Sequence, residues 1–160
     1  MTAFAAWLQD SALGVWTRES PSIWAYPTVL TLHTVGLGIL VGANAVIDFR
    51  LLGFAPRLPI AALAPLYRFM WAGLIMNAVT GVMLFASDAT AKAVQPIFYV
   101  KLTLIALALA TTAMIRTRVA RAETARAAGV VPRANLGRFA ALSLLLWAAA
   151  ITAGRLMAYL

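Results

Sequence analysis

Residues 24–47 read WAYPTVLTLHTVGLGILVGANAVI, an unbroken stretch without a single Asp, Glu, Lys or Arg. At ~1.5 Å per residue such a helix is about 36 Å long, enough to cross the ~30 Å hydrocarbon core of a bilayer. Pro27 suits its first turn, where the N–H that proline lacks has no helical partner to lose. Three further stretches have the same character, at about 66–87, 97–115 and 139–159, with Pro96 just ahead of the third. The expectation is an all-α integral membrane four-helix bundle, forming one domain over residues 1–160 with no internal repeat and no linker.

Composition agrees with that reading. Hydrophobic residues make up 63% of the 160-residue chain and charged residues 11%, against about half and a quarter in soluble domains. One soluble core of this size does not hide so much apolar surface. There is no cysteine, which excludes disulfides, iron–sulfur clusters and thiolate metal sites. Residues 1–23 lack the basic start, apolar run and small-residue cleavage site of a signal peptide, so the first span is expected to serve as its own insertion signal.

Charge sets the expected orientation. Arg50, Arg57 and Arg68 stand in the first connection, and Arg116, Arg118, Arg121, Arg126, Arg133 and Arg138 in the third. The second connection has Lys92 against Asp88, and the N-terminal segment has Arg18 against Asp10 and Glu19. Nine basic residues face two, so the first and third connections are expected in the cytoplasm and both termini on the outer side. The net charge of +8 is thereby a matter of topology. Basic residues confined to two loops, with no recognition motif, argue against a nucleic-acid partner.

Smaller features follow. Residues 3–18 mix Phe4, Trp7, Leu8, Leu13, Val15 and Trp16 with Gln9, Asp10 and Ser11, as a short amphipathic helix lying in the outer interface does. Trp24, Tyr26, Tyr99 and Tyr159 fall near the same boundary, as an aromatic belt. The Ala- and Arg-rich stretch 116–138 is expected to prolong the third helix into the cytoplasm, toward anionic lipid. Gly53, Pro56 and Pro59 punctuate the first connection, and Gly129 and Pro132 the third. Asp48 and Arg50 read as a charge pair at the cytoplasmic end of the first span.

Polar side chains inside spans are expensive and mark partners or sites. They are His33, Asn44, Asn77, Lys101 and Arg155. His33 lies roughly 14 Å below the outer end of its helix, with Asn77 at about the same depth, while Lys101 and Arg155 lie about 6 Å down. Asn44 follows His33 by about three turns, so both occupy one stripe of the first helix. Gly38 and Gly42 make a small-xxx-small pair on the opposite side, and Gly73, Asn77 and Gly81 repeat at i+4 on the second helix; both patterns predict close packing.

One arrangement uses the outer residues together: a haem b standing in the outer half of the bundle. His33 would ligate the iron as a neutral imidazole, and Lys101 and Arg155 would pair with the propionates. Met76 is at the right depth to supply a sixth ligand, which would raise the reduction potential; Met83 is shallower. The same residues also admit a bland reading. His33 and Asn77 then serve as interhelical hydrogen-bonding groups, the two cations reach outward into headgroups, and the methionines fill the core. A quinone or lipid headgroup held by the cations is a third. A zinc or copper site would want three or four ligands where the chain offers one histidine. The sequence carries neither a hydrolase constellation nor the repeats and broken helices of a secondary transporter.

Trp24-Ala25-Tyr26-Pro27, then His33, Gly36, Gly38 and Gly42, then Asp48-Phe49-Arg50-Leu51-Leu52-Gly53 resemble the opening of a family of uncharacterised bacterial four-helix inner-membrane proteins. Phe98-Tyr99-Val100-Lys101-Leu102 and Gly154-Arg155-Leu156-Met157-Ala158-Tyr159 are similar to the same pattern. The resemblance covers the chain from about Trp7, and implies the fold and a bacterial inner (plasma) membrane without an activity. More distantly, a first-helix histidine and a third-helix Lys-Leu pair resemble the bacterial four-helix protoporphyrinogen oxidase and copper-resistance D-type membrane proteins. In the former, that histidine binds haem b, and His33 and Lys101 are the positions carried across. The chain departs from the pattern in having no second histidine, so bis-histidine ligation within one protomer is ruled out. Two expectations result: a haem b protein of membrane electron transfer or haem-linked oxidation, or a non-catalytic membrane subunit or scaffold. Expected partners are the lipid bilayer, a second copy of the chain or a membrane redox partner.

Overall fold

The computed structural model describes residues 2–128 and 136–159. Gly129, Pro132 and Arg133 of the third connection lie outside the described residues, as does the side chain of Arg126. The helices in chain order are α1 (Thr2–Gln9), α2 (Ala12–Glu19), α3 (Tyr26–Leu51), α4 (Leu66–Ala86), the short α5 (Ala89–Lys92), α6 (Pro96–Ala127) and α7 (Leu136–Leu156), with a 3-10 turn at Ile60–Leu63. There is no strand among the described residues. Four helices are long and apolar enough to cross a membrane: α3, α4, α6 to Ala122, and α7.

Their surface is that of a protein in lipid. Ile75 on α4 and Leu145 on α7, both near mid-helix, are 62% and 69% exposed, a placement that costs a soluble protein its solubility and suits acyl chains. Buried residues form only a thin seam, with Leu40, Met70, Ala108 and Trp147 at its centre. The fold is consistent with a multi-pass membrane protein.

α3 pairs with α4, α6 pairs with α7, and α3 joins the two pairs through α7. The α3–α4 contact is made by glycine. A Cβ on Gly36 would stand 2.9 Å from the Asn77 backbone nitrogen, and one on Gly73 would stand 2.7 Å from that of Leu40. The two backbones touch, because apolar side chains give helices no preference for each other over lipid and close packing must supply it. The stripe of Gly73, Asn77 and Gly81 therefore packs as its spacing predicts. Gly38 and Gly42 do not: a Cβ on either meets nothing within 4 Å. The close approach uses Gly36, half a turn away on the face toward α4.

Helix ends follow local chemistry. The first span runs past residue 47 to Leu51 and stops at Gly53, whose φ of +104° ends the helix as glycine readily does. The N-terminal segment is two helices rather than one across 3–18. Ser11 breaks it, its side chain accepting the Gly14 N–H at 3.2 Å and capping α2. These helices pack onto the end of α4 through Gly14, and the Gln9 side chain accepts from the backbone and hydroxyl of Thr90 at 2.9 and 2.8 Å. They share one end of the bundle with the last residues of α7, hereafter the terminal end. The described arginines of the two long connections mark the other, the arginine end.

Candidate functional site

The terminal half of the bundle is organised around His33. It stands two turns into α3, half-buried, opposite Thr80 and Gly81 of α4. Its Nδ1 lies 3.1 Å from Thr80 Oγ1. The Thr80 hydroxyl has one hydrogen, which goes to the Met76 carbonyl at 2.6 Å, so toward the imidazole it acts as acceptor. With Thr80 as the acceptor, Nδ1–H is the donor of this bond. Nε2 is not an enclosed atom, and it hydrogen-bonds to no described residue. Gly81 matters to this placement: a Cβ there would stand 3.2 Å from His33 Cε1.

Asn77 pairs with His33 as well, but not with its ring. Its Nδ2 donates to the His33 backbone carbonyl at 2.8 Å, tying α4 to α3. The imidazole's hydrogen-bond partner is thus Thr80 rather than Asn77. A threonine in a span ordinarily bonds back to its own helix, which Thr80 also does, and nothing in the sequence distinguishes it from Thr103 or Thr152, which do only that.

Lys101 reaches the same neighbourhood from α6. It is half-buried, and its chain lies along α7 where Gly154 leaves room. Arg155 does not join it. That side chain is exposed, with its guanidinium 5.7 Å from the Tyr159 ring centroid. Lys92, in the connection between α4 and α6, donates to the Leu84 carbonyl. Burial lowers the Lys92 pKa from its ordinary value; Asp88 opposes that shift and Lys101 adds to it. Met76 contributes its carbonyl to Thr80 and stands on the helix whose backbone touches α3.

A second polar cluster occupies the arginine half, and sequence reasoning found only one of its members. Asn44 is 1% exposed. Its Nδ2 donates to Asp48 Oδ2 at 2.6 Å and to Ser143 Oγ at 2.9 Å, and its Oδ1 accepts from Thr112 Oγ1 at 2.8 Å. One amide thus links α3, α7 and α6. Asp48 is not an end-of-helix partner of Arg50. It is buried in this cluster, with Oδ1 enclosed and without a hydrogen-bond partner, while Arg50 turns outward to the carbonyls of Leu58 and Pro56 at 2.6 and 3.0 Å. At i+4 from Asn44, Asp48 faces inward by helical geometry; that spacing was the available signal.

The arrangement can do two things chemically. At the terminal end an imidazole is held through one ring nitrogen, with Lys101 in the same half of the bundle. At the arginine end a satisfied amide binds helices together. Neither a family model, nor a curated protein, nor a solved structure matches the chain.

Proposed function

We propose that this chain is a multi-pass protein of a bacterial inner membrane that holds haem b at the terminal end of its bundle, with His33 as the axial ligand. The observation that carries the reading is the Thr80 contact: with Nδ1–H held by Thr80, a neutral ring would offer Nε2 to a ligand, and Nε2 has no hydrogen-bond partner among the described residues. Metal-ligating histidines commonly have the other ring nitrogen held in this way, fixing tautomer and orientation. Bound haem b would supply one-electron chemistry within the membrane, for electron transfer or haem-linked oxidation.

The residues present fit a single imidazole and one propionate cation. In this reading His33 would bind through Nε2, Thr80 would hold the ring, and Lys101 would pair with a carboxylate. Arg155 is outside that group, and Met76 is not assigned the sixth position. The likeness of His33 and the Lys101-Leu102 pair to the haem-binding four-helix oxidase supports the same assignment.

The proposed orientation puts the arginine end in the cytoplasm and both termini outside, with α1 and α2 at the outer interface. Nine basic residues against two support the orientation, and the exposed rings of Phe4 and Trp7 support an interfacial position for α1. The second reading is a non-catalytic membrane subunit or scaffold. Asn77 and Asn44 favour it, since both spend their amides on neighbouring helices. Expression with ample haem followed by a visible spectrum separates the two. A Soret band in the wild type, absent from a folded His33→Ala variant, supports haem; a colourless wild type leaves the scaffold.

A further inference from the structure

α4 and α6 meet at one end of the bundle and part at the other. At the terminal end the rings of Phe85 and Phe98 stack, their centroids 4.9 Å apart. Toward the arginine end the same helices leave two adjoining cavities of about 330 and 290 Å³, which share Tyr67, Trp71, Arg116 and Ala120. Together they make a cleft running from Met70 and Leu109, inside the bundle, out to Ile60 and Arg68. Each volume is at the lower end of the roughly 300–1,000 Å³ that small-molecule sites occupy.

The cleft changes character along its length. Its inner wall is apolar, built from Met70, Leu109 and Ala113. Its mouth carries Arg68, and Arg116 with its guanidinium 5.4 Å from the Tyr67 ring centroid. No carboxylate among the described side chains lies within 4 Å of either arginine. A slot that is apolar inside and cationic at the helix ends is complementary to an amphiphile with an anionic head. An uncharged molecule leaves the arginines without a partner. A free anion leaves the slot unfilled.

We propose that this cleft binds an anionic phospholipid, with one acyl chain between α4 and α6 and the phosphodiester on Arg68 and Arg116. A zwitterionic lipid brings the same chain but a headgroup of zero net charge, so selectivity resides in the two arginines. The site is at the opposite end of the bundle from His33 and is independent of the haem assignment.

Native mass spectrometry of the delipidated full chain in mild detergent tests the proposal, with dioleoyl phosphatidylglycerol and dioleoyl phosphatidylcholine as probes. One phosphatidylglycerol is expected to stay bound under conditions that strip phosphatidylcholine, and millimolar inorganic phosphate is expected not to displace it. Each arginine contributes roughly fivefold to affinity at a membrane surface, so Arg68→Gln with Arg116→Gln weakens binding by that factor twice over. Ala113→Phe fills the cleft and removes the lipid with both arginines kept. Equal retention of the two lipids, displacement by phosphate, or wild-type binding in the double arginine variant would overturn the proposal, as would wild-type binding in Ala113→Phe. Circular dichroism checks that each variant is folded. Should Ala113→Phe not fold, the arginine pair decides, because both side chains are exposed and leave the core untouched.

Discussion

Thr80 accepts a hydrogen bond from His33 across the α3–α4 interface at 3.1 Å while donating its own hydrogen to the Met76 carbonyl. That pair of bonds determines which imidazole nitrogen is left for a ligand. Thr80→Val keeps the shape and removes the acceptor, and loss of such outer partners typically costs about 10–100-fold in metal affinity. A haem titration followed by absorbance should show at least about a tenfold weaker affinity for Thr80→Val, and near wild-type affinity for Thr80→Ser, which keeps the hydroxyl. Equal affinity in Thr80→Val would mean that the ring is oriented by something else.

The glycines of α3 and α4 divide sharply. Gly36→Ala and Gly73→Ala each drive a methyl against backbone of the facing helix, and are expected to destabilise by about 1–3 kcal/mol. Gly38→Ala and Gly42→Ala meet nothing and should be neutral or stabilising by up to ~1 kcal/mol through helix propensity. Thermal melts in detergent, followed by helicity, compare the four. A large loss at Gly38 or Gly42 would show that this face of α3 packs against another molecule.

Asn44 joins three helices with one amide. Interhelical hydrogen bonds in membranes are worth roughly 0.6–1.7 kcal/mol each, so Asn44→Ala is expected to cost about 1–3 kcal/mol. Asp48→Asn keeps an acceptor for Asn44 and removes a buried carboxyl, and should leave stability unchanged or raised. Equilibrium unfolding in mixed micelles measures both. An Asn44→Ala protein as stable as the wild type would contradict the role given to the cluster.

Because the chain has no cysteine, single cysteines report the proposed topology directly. Ala91→Cys, on the exposed surface of α5, and Arg121→Cys, exposed on α6, lie at opposite ends of the bundle. An impermeant maleimide should label Ala91→Cys in intact spheroplasts and Arg121→Cys only after permeabilisation. The reverse pattern inverts the orientation.

The four long helices were legible because a bilayer imposes a length and an apolarity that few soluble segments meet. Residues 24–47 state that constraint almost alone. The extension of α6 to Ala127 was legible too, since Ala and Arg are good helix formers beyond the hydrocarbon boundary. Side-chain partners were harder. His33 and Asn77 were picked out by their cost in lipid, yet which atom each one meets depends on the rotation of α3 against α4, and that is set by Gly36 and Gly73. The eye of a sequence reader falls on Gly38 and Gly42, whose spacing is the better-known one. Asp48 was misplaced because proximity to Arg50 in sequence was taken as proximity in space. Ser143 and Thr112 went unnoticed because small hydroxyls carry little cost in a span when their own helix can satisfy them.

The haem assignment has one direct test, made possible because the chain has a single histidine. Protein labelled with ¹⁵N-histidine, purified on a tag free of histidine and loaded with haem, is measured by pulsed EPR in the ferric state. A strongly coupled ¹⁵N, lost in His33→Gly and restored when ¹⁵N-labelled imidazole is added, is the result the account predicts. Bound haem whose iron shows no coupling to a histidine nitrogen would contradict it.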